Sequence, residues 1–600
     1  MSTAHSNPLS APGLPSLFEE LVAGRLPWNL ISSRLQHPRA DTSAGKQAVD
    51  QLTRLLTAFD DPRQAACAHE LPAELVHRLR SENLLNLSAP AEAGGRDLPP
   101  RAVLHVIEKA ARWSPALGLL LAYHNGLGAP AYVSELAEGP LKRFLTDRLA
   151  HGALTGAADT EPGGAANLTR EMTATVTDDG AAYLLDGKKI FTGNGALAQL
   201  LVVTATVQEP SGPKIRQFFV DTSTPGVTPG RRHRFMGLHG ATNTTVTFTA
   251  VRVLRDRVLA EEKPHAWAAD RQMFPTALGR LYVIAAPALA IVRQCLEFTG
   301  EFVQRRTVDD RPLSEHDEIR RTVAASLADL HAIESVVDWT VVKGTAAADV
   351  HLLFEQFAAK DIIALLTWRT VERTMTLLAG EGYETAHSKA ARGTTPSHLE
   401  GIYRDARGLR IAGGVESLLQ SRLGGFALSC FTPLPDSGTP SADATPPRTG
   451  AAHATAPALT DPRLSPRNRV HLQEAARWAT RLHATCQDAS TRSPDLQSLL
   501  VQERLLALVG AIIEELITMV LTLGTTAVQA EHGVDHQDLA DITCTAARNR
   551  LADCHRQLEQ ILLGTEPRYA CVSDAWLRGT GRVPYKDGTP AQAPQQSGRR

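Results

Sequence analysis

Cysteine is scarce in this chain of 600 residues, and the seven cysteines that it has are scattered. No two of them form a C-x-x-C pair, and their spacing matches no metal-binding framework. An odd number of dispersed cysteines is typical of reduced thiols in a reducing compartment. We therefore expect a cytoplasmic protein that folds without disulfides and holds no metal.

Net charge is also low, at −2 for the whole chain, and no domain is strongly basic. Proteins that bind nucleic acid through phosphate contacts usually carry a basic face, so we expect no nucleic-acid partner. The N-terminal segment lacks the basic and apolar regions of a secretory signal. The most apolar segment, residues 505–523, carries Glu514 and Glu515 at its centre, which is typical of a buried bundle helix. We expect no membrane span.

Several catalytic motifs are missing as well. The chain has no G-x-x-x-x-G-K-[ST] phosphate loop, no H-E-x-x-H zinc motif and no G-x-S-x-G nucleophile elbow. It also has no G-x-G-x-x-G between a strand and a helix. These absences argue against a P-loop NTPase, a zinc protease, an α/β-hydrolase and a Rossmann dinucleotide-binding enzyme.

What is present is a change of pattern along the chain, from helical to β-rich and back. Apolar residues recur at spacings of three and four before residue 150, whereas residues 172–177 alternate and precede an Asp-Asp-Gly turn signal. A later stretch rich in Pro, Thr, Ala and Ser separates two helical regions. We predict an α+β protein, mainly α, in this order: an N-terminal helical domain (1–152), a central antiparallel β domain (153–265), a C-terminal helical bundle (266–430), a flexible linker (431–462), an appended helical domain (463–570) and a tail disordered at its end (571–600).

Five short motifs follow one another through the β region. They are T-E-P-G-G from Thr160, G-K-K-I-F-T-G-N-G from Gly187, D-T-S-T-P-G from Asp221, M-G-L-H-G from Met236 and V-R-V from Val251. In order and spacing, this series resembles the acyl-CoA dehydrogenase family of flavoproteins.

Further motifs on both sides of the β region extend the resemblance to about residues 50–425. They are similar to family segments and begin at His124, Arg306, Ala379 and Tyr403. The helical extension after residue 463 makes the chain most like the very-long-chain branch of the family. The resemblance implies a helical domain, a β domain and a four-helix bundle, in agreement with the pattern along the chain.

The resemblance also implies FAD as the cofactor, held between the β domain and the bundle. The residues at the matching positions are Ala157, Ala158, Asp159, Thr160, Phe191, Thr192, Gly193, Arg306, Thr376, Ala379 and Gly380. Thr160 would contact the edge of the flavin ring, Phe191 would pack an aromatic ring against it, and Arg306 would meet the pyrophosphate. The segment 376–380 would serve the FAD of a neighbouring subunit, which implies a homodimer or a larger homo-oligomer.

The implied substrate is an acyl thioester, on CoA or on an acyl carrier protein. Ala166 and Arg280 stand at positions that the family uses near this substrate, although Ala166 replaces the family's serine. The implied electron acceptor is an electron-transfer flavoprotein or oxygen.

The chain departs from the family at the catalytic base. Desaturation of an acyl thioester needs a carboxylate that removes the α proton. The family's glutamate position after Y-R-D-A-R is Gly413 here, and the alternative position, just before Arg280, is Gly279. Glu416 lies three residues past Gly413 and is the nearest candidate for a substitute, against the simpler interpretation that it is a solvated helix residue.

Three function classes follow from this departure. The chain is an FAD oxidoreductase on an acyl thioester with an altered base, a flavin-dependent monooxygenase on the same scaffold, or a non-catalytic partner or assembly protein. The small residues Gly193 and Gly413 would suit the monooxygenase by opening room above the flavin. We expect poor desaturation of simple saturated acyl-CoAs in each case.

Overall fold

The computed structural model describes residues 16–36, 43–59, 70–259 without 168 and 211, 274–341, 352–431 and 459–578. Most of the predicted linker, the predicted boundary between the β domain and the bundle, and the end of the predicted tail lie outside these residues.

Local sequence signals explain where the N-terminal helices begin. The first helix begins with a capping box, in which the side chains of Ser16 and Glu19 each accept a hydrogen bond from the other's backbone N–H. Four later helices begin at a proline, which is favoured in the first turn because no N–H is needed there. The described helices of this part are α1 (Leu17–Val22), α2 (Trp28–Leu35), α3 (Ser43–Leu56), α4 (Ala73–Ser81), α5 (Pro100–Trp113), α6 (Pro115–Leu127), α7 (Pro130–Val133) and α8 (Pro140–Ala150).

A seven-stranded sheet forms the middle of the chain. Its strands are β1 (Thr155–Ala158), β2 (Thr173–Val176), β3 (Ala182–Thr192), β4 (Leu200–Glu209), β5 (Gly212–Asp221), β6 (Val227–Arg232) and β7 (Thr244–Leu254). The strand order is β1-β4-β2-β3-β7-β6, with β5 paired to β4. Four pairings are antiparallel, as the turn signals predict. The sheet is nevertheless mixed, because β4 pairs in parallel with both β1 and β2.

Helices return after the sheet, as the periodicity predicts. The described helices of the bundle are α9 (Phe274–Arg305), α10 (Asp317–Thr340), α11 (Leu353–Tyr383), α12 (Ala386–Ala391), α13 (Leu399–Leu409) and α14 (Glu416–Ser429), with a short hairpin of β8 (Thr307–Val308) and β9 (Arg311–Pro312) after α9. The helices of the extension are α15 (Pro466–Arg492), α16 (Leu496–Leu500), α17 (Glu503–Glu531), α18 (Gln537–Leu562) and α19 (Tyr569–Leu577).

The helical extension shares one hydrophobic core with the bundle and the N-terminal helices, whereas the sheet has a core of its own. Helices α14 and α17 cross so closely that a Cβ on Gly424 would lie 2.0 Å from the carbonyl oxygen of Leu506. Trp28 of α2 donates an indole hydrogen bond of 2.9 Å to Asp461, just before α15. The extension therefore packs against the bundle, and the segment just before it is bonded to an N-terminal helix.

Two helices are long and apolar enough to span a membrane by length and composition, in the stretches Ala277–Arg305 and Glu503–Glu531. Their most apolar windows are 78% and 83% buried inside the fold. This burial is typical of core helices, which is the role that the sequence predicts for residues 505–523.

Candidate active site

The segments predicted to border a flavin lie side by side at one edge of the sheet. Ala157 and Gly193 exchange backbone hydrogen bonds of 3.3 and 3.1 Å, and the N–H of Ile190 donates to the carbonyl of Thr160 at 2.8 Å. The backbone from 157 to 160 thus runs along the end of β3. The structure brings these two sequence motifs together, although they are about thirty residues apart.

A fully buried lysine fixes this edge from inside the β domain. The Nζ atom of Lys189 donates to the carbonyl of Asp159 at 3.0 Å, to Glu161 at 2.7 Å and to Thr204 at 3.1 Å. Burial lowers the pKa of Lys189, against the opposing effect of the carboxylates. All three donor positions of the ammonium group are used, so the charge is compensated and the segment is held rigidly.

The carboxylate of Asp159 is engaged in the same network. It accepts hydrogen bonds from Arg170 at 3.0 Å and from Thr204 at 2.6 Å. Burial alone would raise the pKa of Asp159, but these partners outweigh burial and hold the pKa below its ordinary value. Among the residues predicted to contact FAD, Asp159 therefore has a side chain that serves the scaffold, and its backbone faces β3.

Phe191 has the features of an exposed aromatic wall. Its side chain is 52% exposed, and its φ of +54° is rare for a residue with a side chain. The ring meets His233 edge-on at a centroid distance of 5.0 Å. The neighbouring Thr192 is buried, and its Oγ1 atom has no hydrogen-bond partner in the described residues. An apolar exposed ring next to an unpaired polar atom fits a ligand better than it fits water.

Gly193 does not open room in the way that the sequence suggests. A Cβ atom built on Gly193 would lie 2.8 Å from the ring of Tyr123 on α6. The space that a side chain at 193 would take is occupied by this tyrosine. The expectation of an open space at this glycine was therefore wrong, because a residue seventy positions away in the sequence fills it.

The β domain is joined to the bundle next to this edge. Asp405 of α13 accepts a hydrogen bond from the backbone N–H of Leu238, and a Cβ on Gly237 would lie 2.6 Å from the carbonyl carbon of Arg404. Burial raises the pKa of Asp405 to about 6. The M-G-L-H-G loop thus sits directly on the Y-R-D-A-R helix, and both motifs serve one domain contact.

The alternative base position, Gly279, is closed by the packing of two helices. Helices α6 and α9 cross at Gly126 and Gly279, where a Cβ on Gly279 would lie 1.7 Å from the carbonyl oxygen of Gly126. Real Cβ contacts of this length do not occur, so no side chain can stand at 279 while the helices cross in this way.

At the main base position, Gly413, the obstacles to a side chain are the backbone conformation and the side chain of Arg280. Gly413 has a φ of +73°, which L-residues other than glycine rarely adopt. A Cβ there would lie 3.2 Å from Cγ of Arg280, whose guanidinium lies 4.7 Å from the ring centroid of Phe357. Arg280, predicted to contact substrate, therefore lies against the position where the family carries its glutamate.

The predicted substitute base, Glu416, is the first residue of α14 and forms an ion pair with Arg410. Its side chain is 31% exposed. Behind this loop, Nζ of Lys360 on α11 donates to the carbonyl of Gly414 at 2.6 Å and to Asp361 at 3.1 Å. Burial raises the pKa of Asp361, against the attraction of Lys360. The assignment of Glu416 as a base stays a prediction, and no sequence motif indicates the buried Lys360–Asp361 pair.

A separate pocket of about 420 Å³ lies at the far ends of α9 and α11. Its lining includes Arg306, Ala379 and Gly380 but no residue of the β domain. Arg306 is exposed and forms no ion pair within the described part of the chain, and Ala379 breaks α11 with a φ of +49° and a ψ of −126°. The pocket also holds two carboxylates, Glu381 and Glu384, each paired with another arginine, so the guanidinium of Arg306 remains available to a phosphate-bearing ligand.

Two other predicted contact residues are not part of either feature. Thr376 is exposed on α11 and is not among the residues that line the pocket, and Ala166 is exposed on the loop between β1 and β2. The side chain of Ala158 is fully buried in the sheet's core, so only its backbone can face a ligand. The exposed aromatic ring of Phe191 and the available guanidinium of Arg306 fit FAD in their chemistry.

Comparison with known proteins supports this assembly of motifs. Three family models match in succession: the N-terminal domain of acyl-CoA dehydrogenase at residues 44–153, the middle domain at 156–251 and the C-terminal domain at 272–424. A probable acyl-CoA dehydrogenase of Mycobacterium tuberculosis, FadE10, is 30% identical over 437 residues. The match covers 72% of this chain and 66% of that relative.

Solved structures show the same fold. An acyl-CoA dehydrogenase from Bacillus anthracis, complexed with FAD, is 18% identical with a TM-score of 0.69, and the match covers 93% of this chain and 94% of that one. Butyryl-CoA dehydrogenase from Megasphaera elsdenii is 22% identical with a TM-score of 0.56, and covers 64% of this chain and 98% of its own. The fold of the extension is thus included in the first likeness.

Proposed function

Because the chain belongs to the acyl-CoA dehydrogenase family, whose cofactor is FAD, we propose that it is an FAD-dependent oxidoreductase acting on an acyl thioester. Neither position at which the family resemblance places the base carries a carboxylate. FAD, when bound, supplies the two-electron redox chemistry. The residues of this chain hold the ring and the phosphates, and position the thioester next to the ring.

The observation that supports the proposal most strongly is the edge formed by β1 and β3. Here the backbone from 157 to 160 lies beside Phe191, whose ring is exposed. The buried Lys189, on the same strand as Phe191, holds this backbone by a hydrogen bond to the carbonyl of Asp159. Arg306 is available to pair with a pyrophosphate, since no carboxylate of the described chain neutralises it.

We propose Glu416 as the substitute base. It lies three residues past the family position and is partly exposed, so a substrate can reach it. Its ion pair with Arg410 must open or rearrange for this role, because the guanidinium contacts a carboxylate oxygen that would take the proton. This is why we expect slow desaturation of simple saturated acyl-CoAs, and better activity where the α proton is more acidic.

The proposal also covers the group that carries the acyl chain, the electron acceptor and the oligomeric state. The acyl chain is carried by CoA or by a carrier protein, and the electron acceptor is an electron-transfer flavoprotein or oxygen. The pocket at Arg306 and Ala379 contains no β-domain residue, which supports a homodimer in which this pocket serves the FAD of the neighbour. A cytoplasmic location remains our prediction.

The test is a product analysis of the FAD-loaded protein with a panel of acyl-CoA and acyl-carrier-protein thioesters. Loss of two hydrogens from the acyl group supports the proposal, and the dependence of turnover on oxygen or on an electron-transfer flavoprotein identifies the acceptor. Glu416→Gln should abolish this reaction, whereas Glu318→Gln, an exposed glutamate on α10, should leave it intact.

Three outcomes would contradict the proposal or a part of it. Addition of an oxygen atom to the product would assign the monooxygenase class, which the filled space at Gly193 does not favour. A purified protein that takes up no FAD would assign the non-catalytic class. A monomer with full FAD content in analytical ultracentrifugation would refute the shared site.

A further inference from the structure

Position 193 and Tyr123 form a matched pair. Three ring atoms of Tyr123, Cδ1, Cγ and Cε1, lie 2.8 to 3.0 Å from the place where a Cβ on Gly193 would stand. The ring therefore packs flat against bare backbone. The family motif that residues 187–195 resemble has a threonine at the position of Gly193. A threonine here cannot coexist with the ring in its present place, so the tyrosine requires the glycine.

The hydroxyl of Tyr123 has an unused hydrogen. The nearest described partner is Asn243, whose Nδ2 atom lies 3.5 Å from the hydroxyl oxygen, and an amide N–H can only donate to it. No described residue accepts the hydroxyl's own hydrogen. Burial raises the pKa of Tyr123, against the weaker opposing effect of Asn243, so the hydroxyl keeps its proton at neutral pH.

The surroundings hold further unpaired polar atoms. The Nδ2 atom of Asn243 also donates to the carbonyl of Phe191 at 2.9 Å, which fixes the orientation of this amide. Its other end, the Oδ1 atom, is buried and without a partner in the described chain, and so is Oγ1 of Thr192. Asn243 is only 5% exposed. Buried polar atoms without partners are rare in native folds, so the unpaired amide oxygen of Asn243 and the unused phenol hydrogen of its neighbour Tyr123 point to a ligand.

The position of this group identifies the ligand's chemistry. Gly193, against which the tyrosine packs, bonds Ala157 at the start of the predicted flavin edge, and Phe191 is the predicted aromatic wall. A flat ring with hydrogen-bond acceptors and an N–H donor along one edge complements a phenol donor and an amide oxygen. The isoalloxazine of FAD has such an edge.

We propose that Tyr123 donates a hydrogen bond to the polar edge of the flavin ring and so replaces the hydroxyl that Gly193 lacks. The inference rests on the proposed function, since it needs FAD at this edge. Tyr123 is then a cofactor-binding residue that belongs to the N-terminal helical domain.

The test compares FAD affinity, visible flavin spectrum and flavin midpoint potential in purified full-length variants. Tyr123→Phe keeps the ring in place and removes only the hydroxyl. We expect about 3- to 10-fold weaker FAD binding, the range for one lost hydrogen bond, with a shifted absorption band and midpoint potential. Tyr183→Phe, at the other end of β3, is the matched control and should change none of these.

A rescue variant makes the test specific. Tyr123→Val with Gly193→Thr removes the ring and restores a hydroxyl at 193, and should regain the affinity that Tyr123→Val alone loses. Unchanged affinity, spectrum and potential in Tyr123→Phe would overturn the inference while the proposed function stands. A wild-type protein that binds no FAD would instead overturn the proposed function, and this inference with it.

Discussion

Two regions of the molecule carry glycine where the family resemblance places a catalytic glutamate, and they differ in what stands against that glycine. At the crossing of α6 and α9, Gly279 touches the backbone of Gly126, and a Cβ would overlap a carbonyl oxygen at 1.7 Å. In the loop between α13 and α14, Gly413 touches only the side chain of Arg280, at 3.2 Å. The same residue type is thus enforced by rigid packing in one place and by backbone conformation in the other.

This difference shows which position can be restored. Backbone atoms on two packed helices cannot move apart without disturbing the core, whereas a side chain at 3.2 Å needs to shift by only a few tenths of an ångström. We infer that a carboxylate can return to the loop and not to the helix crossing.

The largest effect is expected from Gly279→Glu. Because the new side chain must overlap the backbone of α6, we expect a loss of more than about 4 kcal/mol in the free energy of unfolding, above ordinary overpacking. Denaturant unfolding checks this. Gly300→Glu on the same helix is the control, since nothing lies within 4 Å of a Cβ there, and it should be tolerated. Equal stability of the two variants would remove the contrast between the regions.

Gly413→Glu should fold, at a cost of about 1–2 kcal/mol for a left-handed backbone in a residue with a side chain. A carboxylate beside Arg280 should raise α,β-desaturation of a saturated acyl-CoA by about 10²–10⁴-fold, the typical contribution of a positioned base. Enoyl-CoA formation by the FAD-loaded variant is the measurement. Gly413→Gln has the same strain without the base, so equal rates in both variants would show that the loop is not the missing part.

Arg306→Ala tests the side of the site that retains the family pattern. Removing an unpaired guanidinium that meets a pyrophosphate should weaken FAD retention by about 1.5–3 kcal/mol. Dialysis followed by measurement of the remaining flavin gives the result. Arg311→Ala, on the neighbouring hairpin, removes an exposed arginine that contacts the carboxylate and the backbone carbonyl of Glu315, and this variant should retain FAD as the wild type does. Unchanged retention in Arg306→Ala would refute this assignment.

We expect acid to destabilise the region around the crossing of α6 and α9 before it affects the loop at Gly413. His124, two residues before Gly126, accepts the backbone N–H of Thr155 at Nδ1 at 3.0 Å and contacts Asn86 through Nε2 at 2.6 Å. Burial, with a smaller effect of Arg80, lowers its pKa to about 3. The unfolded chain therefore binds the extra proton between pH 6.5 and 3, and stability present above pH 6.5 is lost as the pH falls.

The expected slope from this one histidine is up to about 1.4 kcal/mol per pH unit. Denaturant unfolding of wild type and His124→Gln between pH 7 and pH 4 measures it, since glutamine does not titrate. The variant should be less stable at pH 7 and less sensitive to acid. Parallel curves for the two proteins would show that His124 does not provide this sensitivity.

The sequence alone predicted the order of helical, β and helical parts because hydrophobic spacing and turn residues are local signals. It did not predict that β4 pairs in parallel with β1 and β2, since this pairing depends on strands that are not connected by a turn. The common core of the bundle and the extension was also missed, because an apolar stripe predicts that one face of a helix is buried but not which helix packs against it.

The candidate site shows the same limit. The motifs at Thr160 and Phe191 were located by resemblance, and the structure places their backbones side by side. No pattern in the sequence predicted that Tyr123 fills the space at Gly193 or that the backbone of Gly126 leaves no room for a side chain at 279. Both depend on contacts between segments far apart in the chain, and only the fold brings them together.

The central claim is that the side of the site that holds the cofactor is intact while the side that accepts the proton is altered. The most direct measurement is the visible spectrum of the purified wild-type protein with FAD, under anaerobic conditions, before and after a saturated acyl-CoA and then dithionite. Our account predicts a bound flavin band that persists with the acyl-CoA and disappears with dithionite. A colourless protein, or a flavin that the acyl-CoA bleaches at once, would contradict it.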